Sequence, residues 1–92
     1  MSEHPPTVLV VEDEHDLADL YAAWLDTEYE VRTTYGGQEA LDAVETLGAS
    51  LDVVLLDCWM PEVSGDEVLA AIREQGIDAR VAMVTAVEPD FD

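Results

Sequence analysis

The feature that most constrains the fold is a regular alternation of short aliphatic runs with amphipathic segments. Continuous β-branched and aliphatic runs are typical of strands buried on both faces of a sheet. Apolar residues at helical spacing predict helices with one buried face. The predicted strands are 7–13, 29–34, 51–57 and 80–86, and the predicted helices are 15–28, 38–48 and 66–76. This order predicts an α/β fold, a parallel sheet with helices on both faces and right-handed crossovers.

The first predicted helix carries its apolar residues in one stripe, formed by Leu17, Leu20, Tyr21, Trp24 and Leu25. Because a stripe of this kind faces the core in most helices, we expect Tyr21 and Trp24 to be packing residues and not ligands. In the second helix Gly48 is expected to end the helix, as Gly76 is in the third.

The charge balance excludes several classes of function. The 92 residues suit one domain, and they include 22 acids, three arginines and no lysine, for a net charge of -19. Direct binding of nucleic acid or of an anionic membrane surface needs clustered positive charge, so neither is expected. Self-repulsion of this size favours a salt-rich cytoplasm, as in a halophile, over an ordinary cytosol.

Cys58 is the only cysteine, which fits a reducing, cytoplasmic compartment, and no apolar run is long enough to span a membrane.

Two of the predicted strands end in acids. Glu12 and Asp13 follow the first aliphatic run, and Asp57 ends the third. If these strands are neighbours, as in the flavodoxin-like order 2-1-3-4, the three carboxylates meet at the edge of the sheet where ligands bind. Mg²⁺ prefers such oxygen ligands and relieves their repulsion. In a chain this acidic, ordinary solvated acids are an equal alternative.

Thr85 ends the fourth predicted strand, so its hydroxyl is expected at the same edge. It could donate a hydrogen bond to a phosphoryl oxygen, or it could cap the next turn. Small Ala86 beside it would leave space for a ligand, or would simply pack.

Together these segments resemble a known family. "VVED" at 10–13, "LLDCWMPEVSG" at 55–65 and "VTA" at 84–86 are similar to the receiver domain of two-component response regulators. Each motif is modest, but their order on alternating strands and helices is specific. The resemblance extends from about Thr7 to Ala86, and it implies a flavodoxin-like, doubly wound parallel sheet.

The resemblance implies roles for individual residues. Asp57 would accept a phosphoryl group from a sensor histidine kinase. Glu12, Asp13 and Asp57 would hold Mg²⁺ together with the backbone carbonyl of Trp59, and Thr85 would turn toward the phosphate. Glutamate is a longer variant of the aspartate more common in the family at the first acid position, so Glu12 could act through a water.

The loop after Asp57 has residues that fit this site. Met60-Pro61 would stiffen the loop that carries the Trp59 carbonyl, since proline fixes its own φ and restricts its predecessor. Gly65 is expected to permit a tight turn into the third helix. Cys58 has no neighbouring histidine to act as its base, so it is expected to be a small buried residue.

The chain lacks features that the family carries. Family members continue through a further helix, strand and helix, with a lysine that pairs with the phosphate. This sequence has no lysine and stops soon after its fourth predicted strand. We expect a flexible lead-in at 1–6 and a shortened receiver at 7–92. The resemblance then implies weaker phosphorylation, and it implies self-association through the exposed fourth strand or the uncovered sheet face.

Other functions remain open at this point. A receiver-like protein without phosphorylation, acting only through protein–protein contacts, is the nearest alternative. A phosphatase of the haloacid-dehalogenase type resembles this pattern but has a second aspartate where this chain has Trp59. A nucleotide-binding module would need a glycine-rich loop after the first strand, and none is present.

Overall fold

The computed structural model describes residues 5–84, in which the elements follow each other in the predicted order. The strands are β1 (Thr7–Val11), β2 (Glu30–Thr34), β3 (Val53–Asp57) and β4 (Arg80–Val84), and the helices are α1 (His15–Leu25), α2 (Gly37–Leu47) and α3 (Gly65–Glu74). A 3-10 turn, Gly48–Ser50, follows α2. Thr85, Ala86 and residues 1–4 of the expected lead-in lie outside the described residues.

The four strands form one parallel sheet in the order β2-β1-β3-β4. This confirms the flavodoxin-like strand order predicted from the sequence. The central position of β1 explains its composition, because a central strand of a parallel sheet has no side that faces water. Val8, Leu9, Val10 and Val11 are each at most 2% exposed.

Helices cover the two faces of the sheet unequally. On one face, α2 contributes Ala40 and Val44 and α3 contributes Val68 and Ile72 to a large apolar core. On the other face, α1 contributes the buried Ala18 above Val8 and Val10. The apolar periodicity of α2 and α3 therefore predicted their buried faces correctly. Among residues 5–84 there is no helix with the length and apolar character of a membrane span.

The prediction for α1 is partly wrong. Trp24 is 67% exposed and Leu20 is 43% exposed, so neither is a core residue. Tyr21 and Leu25 do pack against the core, together with Ala18. The buried stripe of α1 therefore runs along 18, 21 and 25, because a small side chain at 18 lets the helix lie close to the sheet.

Glycine ends α2 as predicted. Gly48 has φ of 50°, a left-handed conformation that residues with a Cβ rarely adopt.

The start of α3 has a feature that the sequence interpretation missed. Ser64 caps the helix in a capping box, in which the Glu67 N–H donates to Ser64 Oγ at 3.4 Å and the Ser64 N–H donates to Glu67 Oε1 at 3.3 Å. The Ser-x-x-Glu spacing is a known sequence signal for this cap.

Candidate metal centre

Three carboxylates converge at the carboxyl ends of the two central strands. Because Val11 pairs with Leu56 in the parallel register, the next residues, Glu12 and Asp57, also lie side by side. Glu12, Asp13 and Asp57 each offer an oxygen, and these oxygens all lie within 4.8 Å of one another. Glu12 is 5% exposed and Asp57 is 4% exposed, so both are buried acids. The structure thus brings together the three acids that the sequence analysis singled out.

Backbone hydrogen bonds hold Glu12 in this position. Its N–H donates to the Thr34 carbonyl at 3.1 Å, which extends the β1–β2 pairing by one residue. Its carboxylate Oε2 accepts from the Glu14 N–H at 3.2 Å. The side chain is therefore folded back over the three-residue segment Glu12 to Glu14, here called the acid loop.

Asp57 is fixed from the other side. Its Oδ1 accepts from the Trp59 N–H at 3.1 Å, and the following Cys58 N–H donates to the Val84 carbonyl of β4 at 3.2 Å. The carboxylate is therefore hydrogen-bonded to the loop that follows β3. Cys58 itself is half-buried, so it is less enclosed than expected.

The electrostatics of the cluster favour a cation. The pKa of Glu12 is raised to about 7: burial is the largest cause, a hydrogen bond from the Glu14 N–H opposes the rise, and the neighbouring Asp57 and Asp13 add to it. Within residues 5–84 the ion pair is between Arg32 and Glu30, at 3.6 Å, so no described cation neutralises the three acids. Hard oxygen donors that repel one another are the donor set that Mg²⁺ binds, and the residues present fit that ion.

Gly65 is required for a reason other than the expected one. Its φ is not positive, but a Cβ at this position would lie 2.6 Å from the Asp57 carbonyl oxygen. The first turn of α3 therefore touches the backbone that carries Asp57. At the other side of the loop, a Cβ on Gly37 would lie 2.5 Å from the Val63 carbonyl oxygen. Residues 58–64, here called the Asp57 loop, are thus held between the starts of two helices.

The same loop contains a strained residue. Glu62 has φ of 71°, and the Val63 N–H donates to the Pro61 carbonyl at 2.8 Å, the geometry of a tight turn. Met60, before the proline, is buried with 9% exposure and anchors the loop in the core. A stiffening effect of Met60-Pro61 on the loop stays a prediction, and the left-handed conformation of Glu62 had no sequence signal.

The remaining predicted site residues differ in how far the structure describes them. The Trp59 side chain is 69% exposed, and its N–H contacts Asp57, while a role for its carbonyl in metal binding stays a prediction. Thr85 and Ala86 lie outside the described residues. His15 is outside the carboxylate cluster and stacks on Tyr35, with ring centroids 4.1 Å apart.

Comparison with known proteins agrees with this geometry. A family model described as the response regulator receiver domain matches residues 8–92. A Haloferax volcanii protein named "Putative transcriptional regulator" is 58% identical over 86 residues, which are 92% of this chain and 14% of that protein. The response regulator SaeR of Staphylococcus epidermidis is 34% identical, over 92% of this chain and 36% of that protein. The chain therefore spans well under half the length of these relatives.

Solved structures give the same result. The response regulator TrrA from Thermotoga maritima, in complex with Mg²⁺-BeF, has a TM-score of 0.79 and 37% identity, over 89% of this chain and 70% of that chain. One chain of a CheX-CheY-BeF3-Mg²⁺ complex from Borrelia burgdorferi has a TM-score of 0.78 and 29% identity, over 91% of this chain and 64% of that chain.

These comparisons agree with the halophilic character and with the signalling role that were expected from the sequence. The similarity to a haloarchaeal protein supports the halophilic character predicted from the charge. Receiver domains are signalling domains that act with histidine kinases and bind Mg²⁺ at an acidic pocket. With its predicted fold, its strand order and its acid cluster all in agreement with the matched family, this chain belongs to the response regulator receiver domain family.

Proposed function

We propose that this chain accepts a phosphoryl group from a sensor histidine kinase on Asp57, in a Mg²⁺-dependent reaction, and signals by a change of conformation. The observation that carries the proposal is the buried Asp57 carboxylate, which lies within 4.8 Å of the oxygens of Glu12 and Asp13 at the end of a central strand. An isolated buried acid is costly, whereas an acid that shares a divalent cation is not.

The proposed metal ligands are Glu12, Asp13, Asp57 and the Trp59 carbonyl. Mg²⁺ bound there would neutralise charge on the transferring phosphoryl oxygens. The contribution of the protein is alignment. The Trp59 N–H donates to Oδ1 of Asp57, and the close packing of Gly65 against the Asp57 backbone fixes the position of the residue.

Asp57 acts as the nucleophile in this reaction. A carboxylate oxygen forms a bond to phosphorus, while the bond between phosphorus and the donor nitrogen breaks and its electron pair remains with the histidine. The product is an acyl phosphate. Water later attacks the phosphorus and restores the carboxylate, so slow self-dephosphorylation ends the signal.

Thr85 is proposed to contact the phosphoryl group and to act as the switch residue. Its neighbour Val84, the last described residue of β4, pairs with Asp57 in the register of β3 and β4. The assignment of Thr85 itself rests on the resemblance of "VTA" at 84–86 to the family. We place the reaction in the cytoplasm, a reducing compartment that suits a chain with one cysteine.

Mass spectrometry after incubation with Mg²⁺ and acetyl phosphate tests the proposal. We expect a phosphorylated species in the wild-type chain and none in Asp57→Asn, which keeps the size of the side chain but removes the nucleophile. Omission of Mg²⁺ should abolish the modification. Beryllofluoride binding, which imitates the acyl phosphate without turnover, gives a second readout.

The outcomes separate the proposal from its alternatives. Binding of Mg²⁺ and beryllofluoride without phosphorylation would favour a protein that acts only through contacts with partners. Repeated hydrolysis of phosphomonoesters would favour a phosphatase. Modification that persists in Asp57→Asn would place the acceptor elsewhere.

We also propose that the chain self-associates in molar salt. Trp24, Leu20 and Met83 are exposed apolar side chains, and within residues 5–84 β4 pairs only with β3. Exposed apolar side chains and an unpaired strand edge favour association, while a net charge of -19 opposes it until salt screens the repulsion. No direct binding to nucleic acid or membrane is expected from this charge.

A further inference from the structure

Two consecutive residues, Thr34 and Tyr35, hold the two ends of the acid loop, one residue at each end. It joins β1 to α1 through only three residues, and α1 begins without a side-chain cap, since its N-cap residue Glu14 makes no side-chain hydrogen bond to the helix. An uncapped helix start is free to fray, and fraying here would move the carboxylates. The structure therefore raises the question of what holds this loop in place.

Thr34 holds the first end of the loop. Its carbonyl accepts the Glu12 N–H at 3.1 Å, and its own hydroxyl donates to the Val10 carbonyl at 3.1 Å. Thr34 is 8% exposed, so both hydrogen bonds lie at the buried end of β2. The position of Glu12 is thus linked to the last residue of β2.

Tyr35 holds the second end through three contacts, each with a different residue. Its ring stacks on His15, the first residue of α1, with centroids 4.1 Å apart and an interplanar angle of 33°. Its hydroxyl donates to Asp19 Oδ1, one turn further along α1, at 2.8 Å. Its N–H donates to Glu39 Oε1 in the first turn of α2 at 2.9 Å. The hydrogen bond to Asp19 also raises the pKa of Tyr35, which keeps the hydroxyl protonated as a donor.

We infer that Tyr35 is a positioning residue that fixes the acid loop and thereby sets the Mg²⁺ affinity of Glu12 and Asp13. The inference rests on the proposed metal site. The three acids must be held together before the cation arrives, and the repulsion of their ionised forms favours any motion that separates them. Contacts that resist this motion lower the cost of binding, because less order has to be created when Mg²⁺ binds.

The first test is a Mg²⁺ titration of Tyr35→Phe, which keeps the ring and removes the hydroxyl. The chain has two tryptophans, so in a Trp24→Phe background the fluorescence of Trp59, whose N–H contacts Asp57, reports on the site alone. We expect about threefold to tenfold weaker Mg²⁺ binding, the range that corresponds to the loss of one hydrogen bond. Tyr35→Ala, which also loses the stacking on His15, should bind still more weakly.

Matched variants separate positioning from general destabilisation. Tyr29→Phe removes a hydroxyl next to the opposite end of β2 and should leave Mg²⁺ affinity within about twofold. Asp19→Ala should reproduce the effect of Tyr35→Phe, since it removes the same hydrogen bond. Asp19→Asn keeps an acceptor oxygen and should restore affinity to within about twofold of the wild type.

The second test needs no metal. Amide hydrogen exchange of Glu12, whose N–H donates to the Thr34 carbonyl, should become several-fold faster in Tyr35→Phe without added metal. Amides in the centre of β1 should keep their protection, because global unfolding is not the cause. Faster exchange at both places to the same extent would mean that the tyrosine only stabilises the fold, and it would overturn the inference.

The inference and the proposed function can fail separately. Unchanged Mg²⁺ affinity in both Tyr35→Phe and Tyr35→Ala would overturn the positioning role while the receiver function stood. A wild-type chain that binds no Mg²⁺ would overturn the proposed metal site, and the exchange experiment would still decide whether Tyr35 holds Glu12.

Discussion

The two faces of the sheet differ in how completely they are covered. Among residues 5–84, the face under α2 and α3 has a core of 12 buried residues, whereas the face under α1 has three, namely Val8, Val10 and Ala18. Trp24 and Leu20 of α1 remain exposed. Since apolar burial is the main favourable term in folding, most of the stability of the domain comes from the α2–α3 face.

The candidate site combines parts from both faces. The loop after Asp57 belongs to the heavily packed side, because Met60 lies in its core and Gly65 and Gly37 contact the backbone around it. The acid loop instead leads into α1 on the lightly packed side, where hydrogen bonds and one stacking contact hold it. The loop that follows Asp57 is thus held by packing, and the loop that carries Glu12 and Asp13 is held by weaker polar contacts.

The largest expected effect is a loss of stability on the α2–α3 face. Ile72 is 0% exposed, and Ile72→Ala should lower the free energy of unfolding by about 3 kcal/mol because it leaves a cavity. Leu20→Ala on α1 is the matched control and should change the free energy by less than about 0.5 kcal/mol. Denaturant unfolding in molar KCl measures both. Equal effects of the two variants would contradict the difference between the faces.

A smaller effect is expected at the acid loop, and its size depends on pH. The Glu12 pKa is raised by folding from 4.5 to about 7, so the native state holds the proton more tightly than the unfolded chain. Without metal, stability should therefore fall as pH rises from about 4.5 through about 7. Glu12→Gln removes the cost of ionising this carboxyl in the native state, so the variant should be more stable than the wild type by about 1 to 2 kcal/mol at pH 8. This gain is smaller than the full pKa shift of Glu12 implies, because the neighbouring acids titrate together with it.

Glu12→Gln also tests whether the pH dependence of stability comes from the Glu12 carboxyl itself. Below about pH 3.5 the difference between Glu12→Gln and the wild type should nearly vanish, because the Glu12 carboxyl of the wild type is then largely protonated in both the native and the unfolded state. Saturating Mg²⁺ at pH 8 should reverse the order, since the ion stabilises only the chain that binds it well. Thermal unfolding with EDTA and with Mg²⁺ provides the measurement. A wild-type advantage at pH 8 with EDTA would contradict the buried, repelling carboxylate.

Two features could be predicted from the sequence: the order of the strands and helices, which follows from hydrophobic periodicity, and the convergence of the acids, which follows from strand order. Aliphatic runs alternate with amphipathic segments strongly enough to give all seven strands and helices of residues 5–84 in the correct order. The parallel order then brings the ends of the central strands together, which is why the meeting of Glu12, Asp13 and Asp57 could be expected. Both inferences follow from backbone geometry alone.

Features that depend on close tertiary contact could not be predicted in the same way. Hydrophobicity favours Trp24 over Ala18 as a core residue, but the distance between helix and sheet decides, and only the small side chain fits there. The glycine requirement at 65 comes from a backbone oxygen eight residues earlier in the chain, at Asp57, and no local pattern contains it. Ser64 is different, because its Ser-x-x-Glu spacing was visible in the sequence.

The smallest effect on folding is expected at Trp24, where the largest change in association should occur. Trp24 is 67% exposed, so Trp24→Gln should change the free energy of unfolding by less than about 0.5 kcal/mol. If the lightly covered face is the surface of self-association, the same variant should lower the average mass in molar KCl, measured by light scattering. Leu41→Gln on α2, whose side chain packs against the other core, is a control that should reduce stability instead. A wild-type chain that is strictly monomeric in molar salt would mean that the lighter cover of the face under α1 has no consequence for assembly. The difference between the two faces would then concern stability alone.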